Sequence, residues 1–315
     1  MGTTFSVRVW AHPPEDPCLW AEKAIRAVEE TESRLSTWRQ DSELSALNRA
    51  PTGQAVQLSP ELCNELSTAL RWAAETGGAF DPTVGALIRA YDLRGPGRWP
   101  SQQELEQARK AVGFTKLRLE SCLLSKNAPD VVLEEGAFGK GAALDAALAA
   151  VRGKVEAVEL NLGGQVSFWG KDTLAVDLVH PDHRGEVVAT WILPPGSVAT
   201  SGNAERGRTV DGKPLGHLLD PRSGRPAEDF GSVAVWAADG LTADCLSTAL
   251  FVLGPEQSLR ILANHREVAA VFLVREGRGL RLLTTPHRAK LVPKASRVRV
   301  AEIAWPQEGQ REEKP

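Results

Sequence analysis

The sequence predicts an α+β fold, and three observations carry the prediction. Period-two segments dominate the second half, helical runs of period 3.6 lie mostly in the first, and the two do not alternate as regular βαβ units. At 315 residues and 42% hydrophobic content the chain supports one large domain, or two closely packed lobes, around a substantial core. We take residues 1–310 as one domain and 311–315 as a charged, frayed tail.

The opening strand, Thr3 to Ala11, alternates in period two and stops at Pro13-Pro14. Cys18 to about Leu35 reads as a helix with Trp20, Ala24, Ala27 and Val28 on one face. A second helix spans Ser59 to Thr76, where Ser59-Pro60 sets an N-cap before a first-turn proline, and it ends at Gly77-Gly78. After a Gly/Pro loop from Arg94 to Trp99, Ser101 and Glu104 form a capping box that opens a helix to Val112. Strands follow over Lys116–Leu119 and Val131–Glu134, then an Ala/Leu-rich helix over Gly141–Val151. Val155–Leu160, Leu174–Val179, Val187–Ile192 and Ser232–Ala237 read as further strands. Thr242 to Leu253 is helical, ends at Gly254-Pro255, and is followed by a short helix over Glu256–Asn264.

Composition removes several function classes. A net charge of −3 with scattered Lys and Arg gives no nucleic-acid groove and no polybasic membrane patch. No run reaches the roughly 20 apolar residues of a membrane span, and the first residues read as a strand and not as a signal peptide. The site of action is therefore cytoplasmic as the sequence stands, or exported if a leader precedes it. Cys18, Cys63, Cys122 and Cys245 are far apart without a CxxC pair, which predicts four small buried hydrophobes and neither a zinc site nor a disulfide scaffold.

Four segments carry candidate chemistry. Gly136-Ala137-Phe138-Gly139-Lys140-Gly141 leads into a helix, so its backbone N–H groups and Lys140 suit an anion, although a plain strand-to-helix turn has the same look. Asn161-Leu-Gly-Gly164 after a strand marks either a close ligand approach or a turn. His217 three residues before Asp220 suits a general base, or a hydrogen-bonded structural histidine. Asp244 and Thr248 lie four apart on one helix face and offer hard oxygen ligands for Mg²⁺, with helix capping as the rival role.

In series these segments resemble the ApbE family of FAD:protein FMN transferases. The blocks run in that family's order: Met1-Gly-Thr3; Glu32-x-x-Leu35-Ser36-x-Trp38 with Asp41-Ser-Glu-Leu-Ser-x-Leu-Asn48; and Gly78-Ala79-Phe80-Asp81-Pro-Thr-Val-Gly85. Gly139 to Asp145, Asn161 to Gly164, Ala199-Thr-Ser201-Gly202 with Glu205-Arg206, His217-Leu218-Leu-Asp-Pro221 and Ala243 to Gly254 complete the series over roughly residues 1 to 255. The resemblance implies two packed lobes with mixed, largely antiparallel sheets flanked by helices. It implies Mg²⁺ held by Asp244, Thr248 and the carbonyl of Ala137, with Ser247 a weak ligand at best. It places Met1, Trp38, Ala79, Phe80, Asp81, Glu134, Lys140 and Leu218 at the FAD site, Ser201 and Arg206 near flavin or phosphate, and His217 as the base. Trp38 stands where the family often has tyrosine. The implied reaction attaches FMN from FAD to a threonine of an acceptor protein, as in membrane redox subunits with covalent FMN, and releases AMP. Two rivals use the same residues: an FAD pyrophosphatase with water as nucleophile, and a non-catalytic flavin-binding protein.

Overall fold

The computed structural model describes residues 2–183, 185–204, 207–277, 279–287, 289–295 and 298–304. Its spine is an eight-stranded sheet of β1 (Phe5–Trp10), β2 (Ala157–Leu162), β3 (Gln165–Trp169), β4 (Gly196–Gly202), β5 (Gly231–Ala237), β6 (Ala269–Glu276), β7 (Gly279–Thr284) and β8 (Val298–Glu302). The strands lie side by side in that order. Every neighbouring pair is antiparallel except β7 and β8, which are parallel.

The helices are α1 (Pro17–Leu35), α2 (Glu43–Arg49), α3 (Pro60–Glu75), α4 (Gly85–Ala90), α5 (Gln102–Ala111), α6 (Gly139–Val151) and α7 (Gly240–Asn264). Side-chain alternation on the central strands divides the core in two. Val233, Val235, Ala270 and Phe272 face a cluster built with α3 and α7. Ala234, Trp236, Val271 and Leu273 face the opposite side, where a smaller sheet of Leu174–Val179, Val187–Leu193 and Lys290–Pro293 supplies Leu178, Val188 and Trp191. A strand covered on both faces needs apolar residues at successive positions, and β5 is buried throughout. At the β1 end, α1 and α6 pack against β1 and β2.

Local signals explain most boundaries. Asp16 caps α1 by accepting from Cys18 N, Ser59 caps α3 by accepting from Leu62 N, and the Ser101–Glu104 capping box opens α5. The expected break at Gly254-Pro255 is present inside α7, where Gly254 leaves helical geometry at φ 71° and ψ 173°. Asn161–Gly164 proves to be the β2–β3 hairpin, with both Gly163 and Gly164 at positive φ and Asn161 Oδ1 accepting from Gly164 N. Among the described residues no helix is long and apolar enough to cross a membrane.

Two expectations are corrected. Val131–Glu134 forms no strand beyond one isolated bridge, Val84 to Val132. Its backbone bonds go elsewhere, to the Asn48 side chain at both Leu133 N and Leu133 O, and to Pro82 O from Glu134 N. The cysteines are not four buried hydrophobes either. Cys63 and Cys122 form a disulfide, Cys18 is exposed, and Cys245 is buried. The bridge ties the first turn of α3 to the bend between strands Leu117–Glu120 and Leu123–Lys126, where Leu58 N already bonds Cys122 O at 2.9 Å.

A disulfide closing a loop of this length (sequence separation 59) restricts the unfolded chain strongly. Reducing it, or replacing both cysteines by alanine, is expected to lower stability by roughly 2–4 kcal/mol. Urea unfolding with and without reductant measures the difference.

Candidate functional site

The site forms where the first turns of α6 and α7 cross. A methyl group on Gly141 would lie 2.2 Å from Gly240 O, so the backbones meet at a distance only glycine permits. This approach lets each helix cap the other. The Asp145 carboxylate on α6 accepts from Gly240 N at 2.5 Å and Leu241 N at 2.8 Å, while Asp244 Oδ2 on α7 accepts from Gly141 N at 3.0 Å. Phe138, at the N-cap of α6, offers no side-chain acceptor, so Asp244 fills that place from the other helix.

Asp244 is buried, and its second oxygen receives Lys140 Nζ at 3.0 Å. Thr248 stands one turn further along α7 and is half-buried, as is Ala137 just before α6. Ser247 is already committed. Its hydroxyl lies 2.9 Å from Ser201 Oγ on β4 and donates to Asp244 O, so it faces the sheet. Ser201 is therefore a buried tie between β4 and α7. Burial, helped by Asp239 and Asp244, pushes the Asp145 carboxyl up to about 7 against two backbone N–H bonds that oppose the shift.

The donor chemistry here fits Mg²⁺. An ionised carboxylate has about four lone-pair positions, and the two hydrogen bonds to Asp244 leave capacity for a cation. Among the described residues no three His, Cys, Asp or Glu side chains gather into a metal cluster. One carboxylate, with the Thr248 hydroxyl one turn along α7, suits a hard ion that keeps waters or phosphate oxygens.

A second group surrounds Glu134, just ahead of α6. Glu134 and Glu135 are both buried. Thr37 N and Oγ1 bond Glu135, while Arg94 Nη2 meets Glu134 Oε2 at 2.5 Å and also bonds Thr37 Oγ1. The Arg94 guanidinium also lies 4.7 Å from the centre of the Trp38 ring. Trp38 is 66% exposed, an open aromatic platform for a planar ligand. Burial, and then Glu135, push the Glu134 carboxyl up to about 7, with Arg94 pulling the other way.

The remaining predicted residues are placed unevenly. The side chains of Ala79 and Phe80 are buried, Phe80 within the main core. Asp81 accepts from Thr83 N, Thr83 Oγ1 and Phe114 N, so its carboxylate fixes the loop, and burial raises its pKa. Half-buried His217 donates its backbone N–H to Asn203 Oδ1 at 3.2 Å, just beyond β4, and Leu218 packs against the main core. The loop thus hangs from β4, which Ser201 links to α7. Met1 and Arg206 lie outside the described residues.

Asp145, Glu135, Thr37 and Arg94 were assigned no role from sequence. Asp145 falls within the Gly139–Asp145 block, but nothing in the spacing shows that it caps a helix 95 residues away. Arg94 sits in a Gly/Pro loop without periodicity.

Fold and site together define a mixed α+β protein with a buried carboxylate and a lysine at a paired helix N-terminus, and an exposed tryptophan against Arg94 of the Glu134 group. The chain belongs to the ApbE family, whose model matches residues 1–272. It is 28% identical over 295 residues to the FAD:protein FMN transferase of Vibrio cholerae, covering 89% of this chain and 87% of that one. It is 31% identical over 303 residues to the enzyme of the same name from Treponema pallidum, covering 87% and 82%. The apo crystal structure of the Pseudomonas stutzeri flavinyl transferase ApbE superposes with a TM-score of 0.79 at 26% identity, covering 90% of this chain and 92% of that one.

The helix crossing leaves no space for a methyl group, so Gly141→Ala is expected to cost about 1–3 kcal/mol or more and to part Asp244 from the α6 N-terminus. Thermal unfolding of the variant checks this. Glu134 gives a pH prediction. With a folded pKa near 7 against an ordinary 4.5, the native state holds more protons than the unfolded state between those values, so this group makes stability fall as pH rises through that window. In Glu134→Gln that loss is expected to be absent, as measured by urea unfolding of both proteins at pH 5 and pH 8.

Proposed function

We propose that this chain is a Mg²⁺-dependent FAD:protein FMN transferase that joins FMN to a threonine hydroxyl of an acceptor protein and releases AMP. The observation that carries the reading is the Asp244 carboxylate, buried between Lys140 Nζ and the α6 N-terminus with Thr248 one turn away. The names of the Vibrio and Treponema relatives support it.

In this reading the threonine oxygen attacks the phosphorus on the FMN side, the P–O–P bond breaks, and AMP leaves with the bridging oxygen. His217, on a loop whose backbone N–H is anchored by Asn203 Oδ1, takes the threonine proton. Lys140, which can turn from Asp244 toward the cofactor, balances charge on the phosphate oxygens. Mg²⁺, held by Asp244, Thr248 and the Ala137 carbonyl, would neutralise charge developing on the pyrophosphate. Trp38, backed by Arg94, stacks on a ring of FAD. The Cys63–Cys122 disulfide favours a site of action where thiols are oxidised.

The test compares wild type, Asp244→Ala and His217→Ala with FAD, Mg²⁺ and a candidate acceptor. Flavin that survives denaturation is read by in-gel fluorescence, and AMP by chromatography. Asp244→Ala is expected to lose transfer across a Mg²⁺ titration. His217→Ala is expected to slow it by ~10²–10⁴-fold with FAD affinity near wild type. AMP release that does not depend on acceptor would replace the transferase by a hydrolase, and FAD binding without AMP would leave only a flavin carrier.

A further inference from the structure

Beneath the helix crossing lies a glutamine with one polar atom unmatched. Gln165 opens β3 directly after the Gly163-Gly164 turn and is 1% exposed. Its Nε2 donates to Gly240 O at 2.9 Å and to Ser197 Oγ at 3.4 Å. Among the described residues its Oε1 meets no hydrogen-bond donor. Turning the amide over would set Oε1 against the Gly240 carbonyl, so the nitrogen is fixed toward α7. Ser197 is tied in turn. It accepts from Ser167 Oγ at 2.8 Å, its partner across the paired strands β3 and β4, and donates to Val166 O at 3.1 Å.

An unmet acceptor in the interior costs stability, and a methionine of similar length would fill the same space without that cost. Packing therefore does not explain a glutamine here. Its bond to Gly240 does. Gly240 is the first residue of α7, and in an α-helix its carbonyl accepts from the N–H four residues on, which is that of Asp244. The same oxygen is the atom that a methyl group on Gly141 would meet at 2.2 Å. One carbonyl thus joins the sheet, the α6 contact and the backbone of Asp244, whose Oδ2 binds back to Gly141 N at 3.0 Å. The strand holds this oxygen through Gln165.

We infer that Gln165 is a positioning residue for Asp244, fixing through Gly240 O the carboxylate that receives the cation. The inference rests on the reading of Asp244 as the Mg²⁺ ligand. Groups that orient a metal ligand from outside the coordination shell govern how tightly the ion is held. Gln165 acts in this way through the first turn of α7, with no contact to the ion required.

The test titrates Mn²⁺, an octahedral, oxygen-bound stand-in for Mg²⁺, into the full chain saturated with FAD and reads the free ion by electron paramagnetic resonance. Wild type, Gln165→Met, Gln165→Asn, Ser197→Ala and Asp244→Ala are compared. Gln165→Met removes the donor. Gln165→Asn keeps an amide that falls one methylene short of Gly240 O, and carries the test if the methionine variant does not fold. Both are expected to weaken Mn²⁺ binding by roughly 10–100-fold. Ser197→Ala removes buried hydrogen bonds from the same network but leaves the Gly240 bond in place, and is expected to bind Mn²⁺ within about twofold of wild type. Metal-free FAD affinity of the Gln165 variants, from quenching of flavin fluorescence, is expected to stay within about twofold as well. Mn²⁺ binding near wild type in the Gln165 variants overturns the inference. So does an equal loss in Ser197→Ala, or a parallel loss of metal-free FAD affinity, since either would mean general loosening of the site. If Asp244→Ala binds Mn²⁺ like wild type, the metal reading fails and the inference with it. A loss in Asp244→Ala with none in the Gln165 variants strikes the inference alone.

Discussion

The contact between Gly141 and Gly240 is the constraint on which the site depends. Two helix N-termini carry partial positive charge and unsatisfied N–H groups, so bringing them together is unfavourable unless acceptors are supplied. Here each helix supplies the other's acceptor, Asp145 for α7 and Asp244 for α6. The geometry tolerates no Cβ at Gly141, and the surrounding bonds reinforce it. Gln165 Nε2 from β3 donates to Gly240 O at 2.9 Å, and Trp72 Nε1 from α3 reaches Thr242 Oγ1 at 3.3 Å. The sheet, the α3 layer and the two helices therefore agree on one placement of Asp244.

The two capping aspartates are chemically alike and environmentally distinct. Asp145 has only backbone donors, and burial raises its pKa, which suits a fixed structural acceptor. Asp244 shares its charge with Lys140, a flexible cation that can turn toward an incoming phosphate. The proposed chemistry uses that difference. One carboxylate holds the helices, and the other, oriented by the same crossing, is available to a cation and a phosphate.

Much of the fold was legible because local rules and tertiary packing agree. The caps at Ser59 and Ser101 each act on residues three positions ahead, so the sequence alone displays them. Val131–Glu134 misled because an apolar run of strand-like composition was claimed by Asn48 and Pro82. The disulfide was hidden for a similar reason. Cys63 and Cys122 meet only after α3 and the Leu117–Lys126 hairpin pack together, and their separation in sequence carries no motif.

The site shows the same division more sharply. Asp244 and Thr248 were readable because i and i+4 share a helix face in any helix. Lys140 was readable because it opens a helix after glycines. The residues around them were not, since Asp145, Glu135, Thr37 and Arg94 act across separations of 40 to 98 positions. Arg94 shows why this matters physically. It faces an open indole and a buried carboxylate at once, so one side chain couples the aromatic platform to the charge of Glu134. A loop residue without periodicity thus ties the indole to the buried carboxylate, and only the folded chain reveals the connection.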